Sequence, residues 1–118
     1  LVDFSDFLPT ITDAVGIDLP ETFVTDGVSF YPQLKGDFSK TRDWVFCHFD
    51  PKKSKYDKKR FVQNAEWKLY ESGAFYNVKN DPYEKESLAV GKLSDDVKEV
   101  RKQFEVVLAS MHVETAKK

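Results

Sequence analysis

The sequence is short of most residues from which catalytic and metal sites are assembled. It holds a single cysteine, Cys47, and two histidines, His48 and His112, that stand far apart. One cysteine cannot close an internal disulfide, so it neither demands nor excludes an oxidising compartment. A zinc site built on these three residues needs several added carboxylates, and nothing in the spacing gathers them. The glycines at 16, 27, 36, 73 and 91 are isolated, so none forms a phosphate-cradling loop. No apolar run has membrane-spanning length, and no stretch reads as a signal peptide. A net charge of -2 over 118 residues is too small to steer the chain onto nucleic acid or an acidic membrane.

Aromatic residues are plentiful instead. Ten Phe, five Tyr and two Trp sit in a chain that is 41% hydrophobic and 32% charged, a globular balance with enough payload for one core. The opening places Phe4, Phe7, Leu8, Ile11 and Val15 at helical spacing. Ser5 or Asp6 can cap that helix, Pro9 falls near its first turn, and Gly16 supplies the left-handed stop. Ser29 can cap a short helical turn over 30–34, closed by Gly36.

From Trp44 the period changes. Trp44-Val45-Phe46-Cys47-His48-Phe49 is a nearly continuous β-favouring run and reads as a central strand. Residues 60–63, 66–70 and 74–78 are three further strand candidates with hairpin-sized gaps, which predicts an antiparallel meander. Trp67 and Leu69 then face one way, and Glu66, Lys68 and Tyr70 the other. Val97, Val100, Phe104, Val107, Leu108 and Met111 form one helical stripe, with Ser94 as cap and Asp95 and Asp96 in the first turn. The expected fold is α+β: a small four-stranded antiparallel sheet covered on one face by a C-terminal amphipathic helix, preceded by helical segments.

Candidate chemistry is sparse. Cys47 and His48 are adjacent, but neighbours on a strand point to opposite faces and cannot form an activated thiol–imidazole pair. The carboxylates show no spacing that pairs them as acid and base. Residues 51–60 carry six basic side chains against one Asp, which reads either as a solvated loop or as a loop facing an anion. His48 and Asp50 lie two apart on one strand face, either as a hydrogen-bonded strand end or at the rim of a pocket. No catalytic residue and no metal ligand is assigned.

The order of several segments resembles the C-terminal region of the sulfatase family, in the alkaline phosphatase-like superfamily. The segments are Asp6-Phe7-Leu8-Pro9-Thr10-Ile11 with Gly16, Asp26-Gly27-Val28-Ser29-Phe30, Arg42-Asp43-Trp44 with the strand after it, Arg60-Phe61-Val62, Trp67-Lys68-Leu69-Tyr70, Phe75-Tyr76-Asn77-Val78 and Asn80-Asp81-Pro82-Tyr83-Glu84. The resemblance implies that residues 1–41 are the tail of a catalytic domain and residues 42–118 a C-terminal subdomain. It implies a parent enzyme that hydrolyses sulfate esters with a formylglycine beside a calcium ion, in a periplasmic or secreted setting. The Cys/Ser-x-Pro-x-Arg motif that yields the formylglycine is absent from this chain, and Cys47 lacks its Pro and Arg. The start at Leu1 and the mid-protein character of the opening fit a fragment. The partners implied are the catalytic domain and a sulfated substrate such as a saccharide, with no nucleic acid and no membrane. His48, Asp50 and Arg60 are the substrate-binding candidates, grouped because Arg60 opens the strand that follows the basic loop. The alternatives are a free-standing binding module without catalysis, or a piece of a related phosphatase or phosphonate hydrolase.

Overall fold

The computed structural model describes residues 1–51 and 55–111. Lys52, Lys53 and Ser54 of the basic segment, and His112, lie outside the described residues. The chain divides into two compact units, Leu1–Val45 and Phe46–Lys118.

The first unit begins with a 3-10 turn over Phe4–Asp6 that runs into helix α1, Phe7–Val15. Asp6 stands at the N-cap position of α1, as one of the two expected residues, but makes no side-chain cap bond there; Asp3 caps the 3-10 turn, its carboxylate accepting the Ser5 N–H while Asp6 accepts the Asp3 N–H at 2.7 Å. Pro9 sits in the first turn of α1, and Gly16 ends the helix with φ 70°. Helix α2, Tyr31–Leu34, packs against α1, and the Ser29 hydroxyl accepts the Tyr31 N–H at 3.2 Å.

What this unit buries is polar. Its only buried residues are Asp6 and Thr10. The Asp6 carboxylate accepts the Val28 N–H at 2.7 Å and is gripped by Arg42 through Nε at 2.9 Å and Nη2 at 2.5 Å. Arg42 also donates to the carbonyls of Asp26 and Trp44. The Thr10 hydroxyl donates to the Asp6 carbonyl at 2.6 Å and accepts the Phe30 N–H at 3.0 Å. Gly27 has no room for a side chain, because a Cβ there would lie 2.1 Å from the Ser5 carbonyl oxygen. The apolar stripe of α1 stays about half exposed, even though Phe7 meets Phe30 edge to face, and Phe4, Val24 and Phe38 are 90%, 94% and 70% exposed.

The sheet consists of strands β1 (Val45–Phe49), β2 (Lys59–Gln63), β3 (Trp67–Tyr70) and β4 (Phe75–Asn77), in the order β1-β2-β3-β4. β2, β3 and β4 form the antiparallel meander, with Val62 opposite Leu69 and Leu69 opposite Phe75. β1 is therefore an edge strand and not the central one expected from its apolar run. A continuous run reports partial cover on both faces, which an edge position also satisfies, and all but Phe49 are half-buried. The β2–β3 turn is fixed by Asn64, whose side-chain oxygen accepts the N–H groups of Glu66 and Trp67. In the β3–β4 turn Gly73 takes φ 88°, open to glycine at no steric cost.

Helix α3, Asp95–Ser110, packs on β2 and β3. Val62, Leu69, Phe75 and Phe104 form its core with the sheet, each at most 3% exposed, and Trp67 stacks on Phe75 at 5.4 Å. Each such side chain contributes roughly 1.5–3 kcal/mol. Ser94 stands at the N-cap position with extended backbone, but its hydroxyl makes no cap bond; Asp95 and Asp96 supply the negative charge at that end.

Three outcomes follow from the polar interior of the first unit. Arg42→Ala strands a buried carboxylate and is expected to lose about 3–5 kcal/mol, read from loss of the Val28 and Phe30 amide signals by NMR. Gly27→Ala forces the Asp26–Ser29 segment away from α1 and should broaden the same signals. Burial alone would raise the pKa of Asp6, but the bonds from Arg42 and the Asp3 and Val28 N–H groups outweigh it and hold the carboxyl below its ordinary 3.8. The stabilisation is thus complete above that value and is lost as pH falls through the lower native one, so acid titration should release the first unit only below the ordinary range.

Candidate functional site

The alternation of β1 sends Phe46 and His48 to one face, and Asp50 follows just past the end of the strand. His48 Nε2 lies 4.0 Å from an Asp50 carboxylate oxygen, and Lys58 Nζ lies 3.7 Å from the same oxygen. His48 is mostly buried, with its Nε2 shielded from solvent and without a hydrogen bond among the described residues, while Asp50 and Lys58 are each nearly half exposed. The three make a loose polar edge in which a histidine donor or acceptor is unsatisfied.

Arg60 belongs to a different arrangement. Its guanidinium pairs with Glu71 at 2.5 Å and donates through Nη2 to the carbonyls of Leu108 at 3.3 Å and Met111 at 2.5 Å. It also lies over the Phe46 ring, 5.5 Å from the centroid. Arg60 thus closes the C-terminal end of α3, where a cation meets free carbonyls and the negative end of the helix dipole. Of the three sequence candidates, His48 and Asp50 are brought together, and Arg60 is held by the sheet and helix.

A second cluster lies on the sheet face opposite α3. Cross-strand register puts Phe61 beside Tyr70 and Lys68 beside Tyr76 on that face. The Lys68 ammonium sits 4.0 Å from the Phe61 ring centroid and 4.7 Å from that of Tyr70. Glu84 completes the group, accepting from Lys68 Nζ and from the Tyr70 hydroxyl, each at 2.6 Å. Glu84 adopts φ 54°, sparsely populated for a side-chain-bearing residue, at the end of a turn in which its N–H donates to the Asp81 carbonyl. The pattern of β3 exposes Lys68 and Tyr70 as face-sharing neighbours. Glu84 could not be joined to them from sequence, because the turn through Asn80–Tyr83 decides where it points.

Burial would lower the pKa of Lys68, but its bonds to Glu84 and Tyr70 outweigh that and raise it above 10.5. Burial would raise Glu84, and the Lys68 and Tyr70 bonds outweigh that and hold it below 4.5. Burial and the Glu84 bond together push the Tyr70 hydroxyl above 10.0. All three are therefore held in their neutral-pH forms as a structural knot, which suits positioning and not proton transfer. Among the described residues no group of three His, Cys, Asp or Glu side chains could hold a metal ion. No described helix is long and apolar enough to cross a membrane. No protein-family model and no curated protein matches the chain.

Glu84→Ala leaves a nearly buried ammonium unpaired and is expected to cost about 1.5–3 kcal/mol of second-unit stability in urea. The wild-type contribution of this pair should persist from above 4.5, the ordinary glutamate value, to beyond 10.5, the ordinary lysine value, falling away only outside that window. Arg60→Gln should destabilise the same unit by a similar amount, about 1.5–3 kcal/mol, by freeing the end of α3.

Proposed function

We propose that this chain is the C-terminal part of a sulfatase, a supporting piece of an enzyme that hydrolyses sulfate esters and does not itself carry the nucleophile. The observation that carries the reading is the convergence of three separately recognised segments on one carboxylate. Asp6 comes from the first segment, Val28 from the Asp-Gly-x-Ser segment and Arg42 from the Arg-Asp-Trp segment, and all three meet in hydrogen bonds. A chance likeness spread over these stretches has no reason to place their polar residues in mutual contact. The exposed apolar residues of α1 support the same reading, since neighbouring apolar side chains left open mark a surface made to be covered. The cover proposed is the catalytic domain, which would also bring the formylglycine and calcium chemistry, in a periplasmic or secreted enzyme.

Within that enzyme His48 and Asp50 form a polar edge of the substrate pocket, with Lys58 beside them and Arg60 fixing the strand behind. The Asp50 carboxylate, nearly half exposed beside the buried His48 imidazole, can orient a hydroxyl group of a sulfated saccharide, and the lysine offers a point charge to its anions.

The isolated chain is expected to leave an aryl sulfate intact with calcium present, and the gene upstream of the Leu1 codon to encode a Cys/Ser-x-Pro-x-Arg motif. An upstream region without that motif overturns the reading. In the longer enzyme, His48→Ala should lower kcat/KM about tenfold or more on a sulfated saccharide while sparing a small aryl sulfate. Equal rates on both substrates would remove His48 from the pocket.

A further inference from the structure

The sheet face that α3 leaves open holds a depression of about 700 Å³ near the Lys68–Glu84 knot. Its floor is aromatic. Tyr70 and Tyr76 meet edge to face, with ring centroids 6.0 Å apart at 87°. Ala74 bonds back to the Tyr70 N–H across the β3–β4 turn, and its methyl leaves room that a larger side chain would fill. Tyr83 stands as one wall and is 82% exposed. Glu84 holds the Tyr70 hydroxyl, so the ring is set before any ligand arrives. The hydroxyls of Tyr76 and Tyr83 make no hydrogen bond among the described residues, and Lys59, over the Tyr70 ring at 6.0 Å, makes no ion pair there.

The charges around the hollow balance. Lys58 and Lys59 stand against Asp57 and Glu84, two of each sign, while Arg60 and Glu71 at the edge are paired with each other, so the lining selects neither a polyanion nor a cation. Flat apolar ring faces beside free hydroxyls, an ammonium and carboxylates fit a ligand that is itself apolar on its faces and hydroxylated at its rim. We propose that this depression binds a neutral sugar ring, one unit of an uncharged saccharide chain, stacked against Tyr76 and Tyr83 with its hydroxyls bonded to the Tyr76 hydroxyl, Lys59 and Glu84. The site lies on the face opposite α3, is made by the second unit alone, and does not rest on the sulfatase reading.

The test is an amide NMR titration of the full 118-residue chain with cellobiose, maltose and chitobiose as probes. Saturable shifts are expected at Tyr76, Tyr83 and Glu84 with at least one of them, with affinity on the order of millimolar for so open a hollow. Tyr83→Ala should abolish the shifts while leaving the melting temperature unchanged, because that ring is mostly in solvent. Tyr76→Phe, which keeps the ring and so the fold, should weaken binding by about 2- to 10-fold. Absence of saturable shifts with all three sugars overturns the proposal. Equal shifts at the same amides with phenyl sulfate overturn it as well, by marking an anion site. Neither result bears on the upstream motif by which the sulfatase reading stands or falls.

Discussion

The first unit depends on one buried carboxylate. Asp6 receives a capping N–H from its own turn, an N–H from Val28 and two nitrogens of Arg42, a residue 36 positions further along. Removing any of these donors leaves charge in a place that water does not reach. The interior of the unit is therefore specified by direction and charge rather than by apolar volume, and a network of this kind is either complete or costly. Gly27 enforces the same geometry sterically, since only a bare backbone lets the Asp26–Ser29 segment come down onto Ser5 and Pro9.

The second unit is built on the opposite principle. Val62, Leu69, Phe75 and Phe104 exclude water between sheet and helix, and charged groups are kept to its borders. Arg60 at the end of α3 and Arg101, which reaches from α3 to the Gly73 carbonyl while lying over the Phe75 ring, tie the helix to β2 and to the β3–β4 turn. The open face carries the Lys68–Tyr70–Glu84 knot, where aromatic rings and a carboxylate together meet the cost of half-burying an ammonium. One side of the sheet is thus a dry core and the other a fixed polar surface, and only the latter offers ligands a pre-set geometry.

Periodicity made most of this architecture legible. The alternation through residues 60–78 marked β2, β3 and β4, and the stripe from Val97 to Met111 marked the covered face of α3, because both patterns report burial by neighbours in the same element. The central place expected for β1 gives way to an edge because a continuous apolar run does not say which side has a pairing partner. Ser94 has a capping residue's position without its hydrogen bond, so composition at a helix start outran the local geometry. The Asp6–Arg42 and Lys68–Glu84 pairs were invisible for a different reason: they join residues 36 and 16 positions apart, and no local pattern encodes which loop will return to which helix. Of the candidate site, the proximity of His48 and Asp50 was readable from a two-residue spacing. The internal role of Arg60 was not, because it is decided by where α3 ends.

The polar interior of the first unit has a consequence for the order of events during synthesis. Residues 1–45 leave the ribosome before the second unit does, yet collapse is driven by apolar burial, and most of the large apolar side chains here are exposed. These residues gain little from closing on themselves. The meander of the second unit, with its short turns and local contacts, can form quickly as soon as α3 has emerged. The N-terminal stretch is accordingly held by directed polar bonds, and while those are unmade its exposed apolar side chains are a point of entry for chaperones and for self-association.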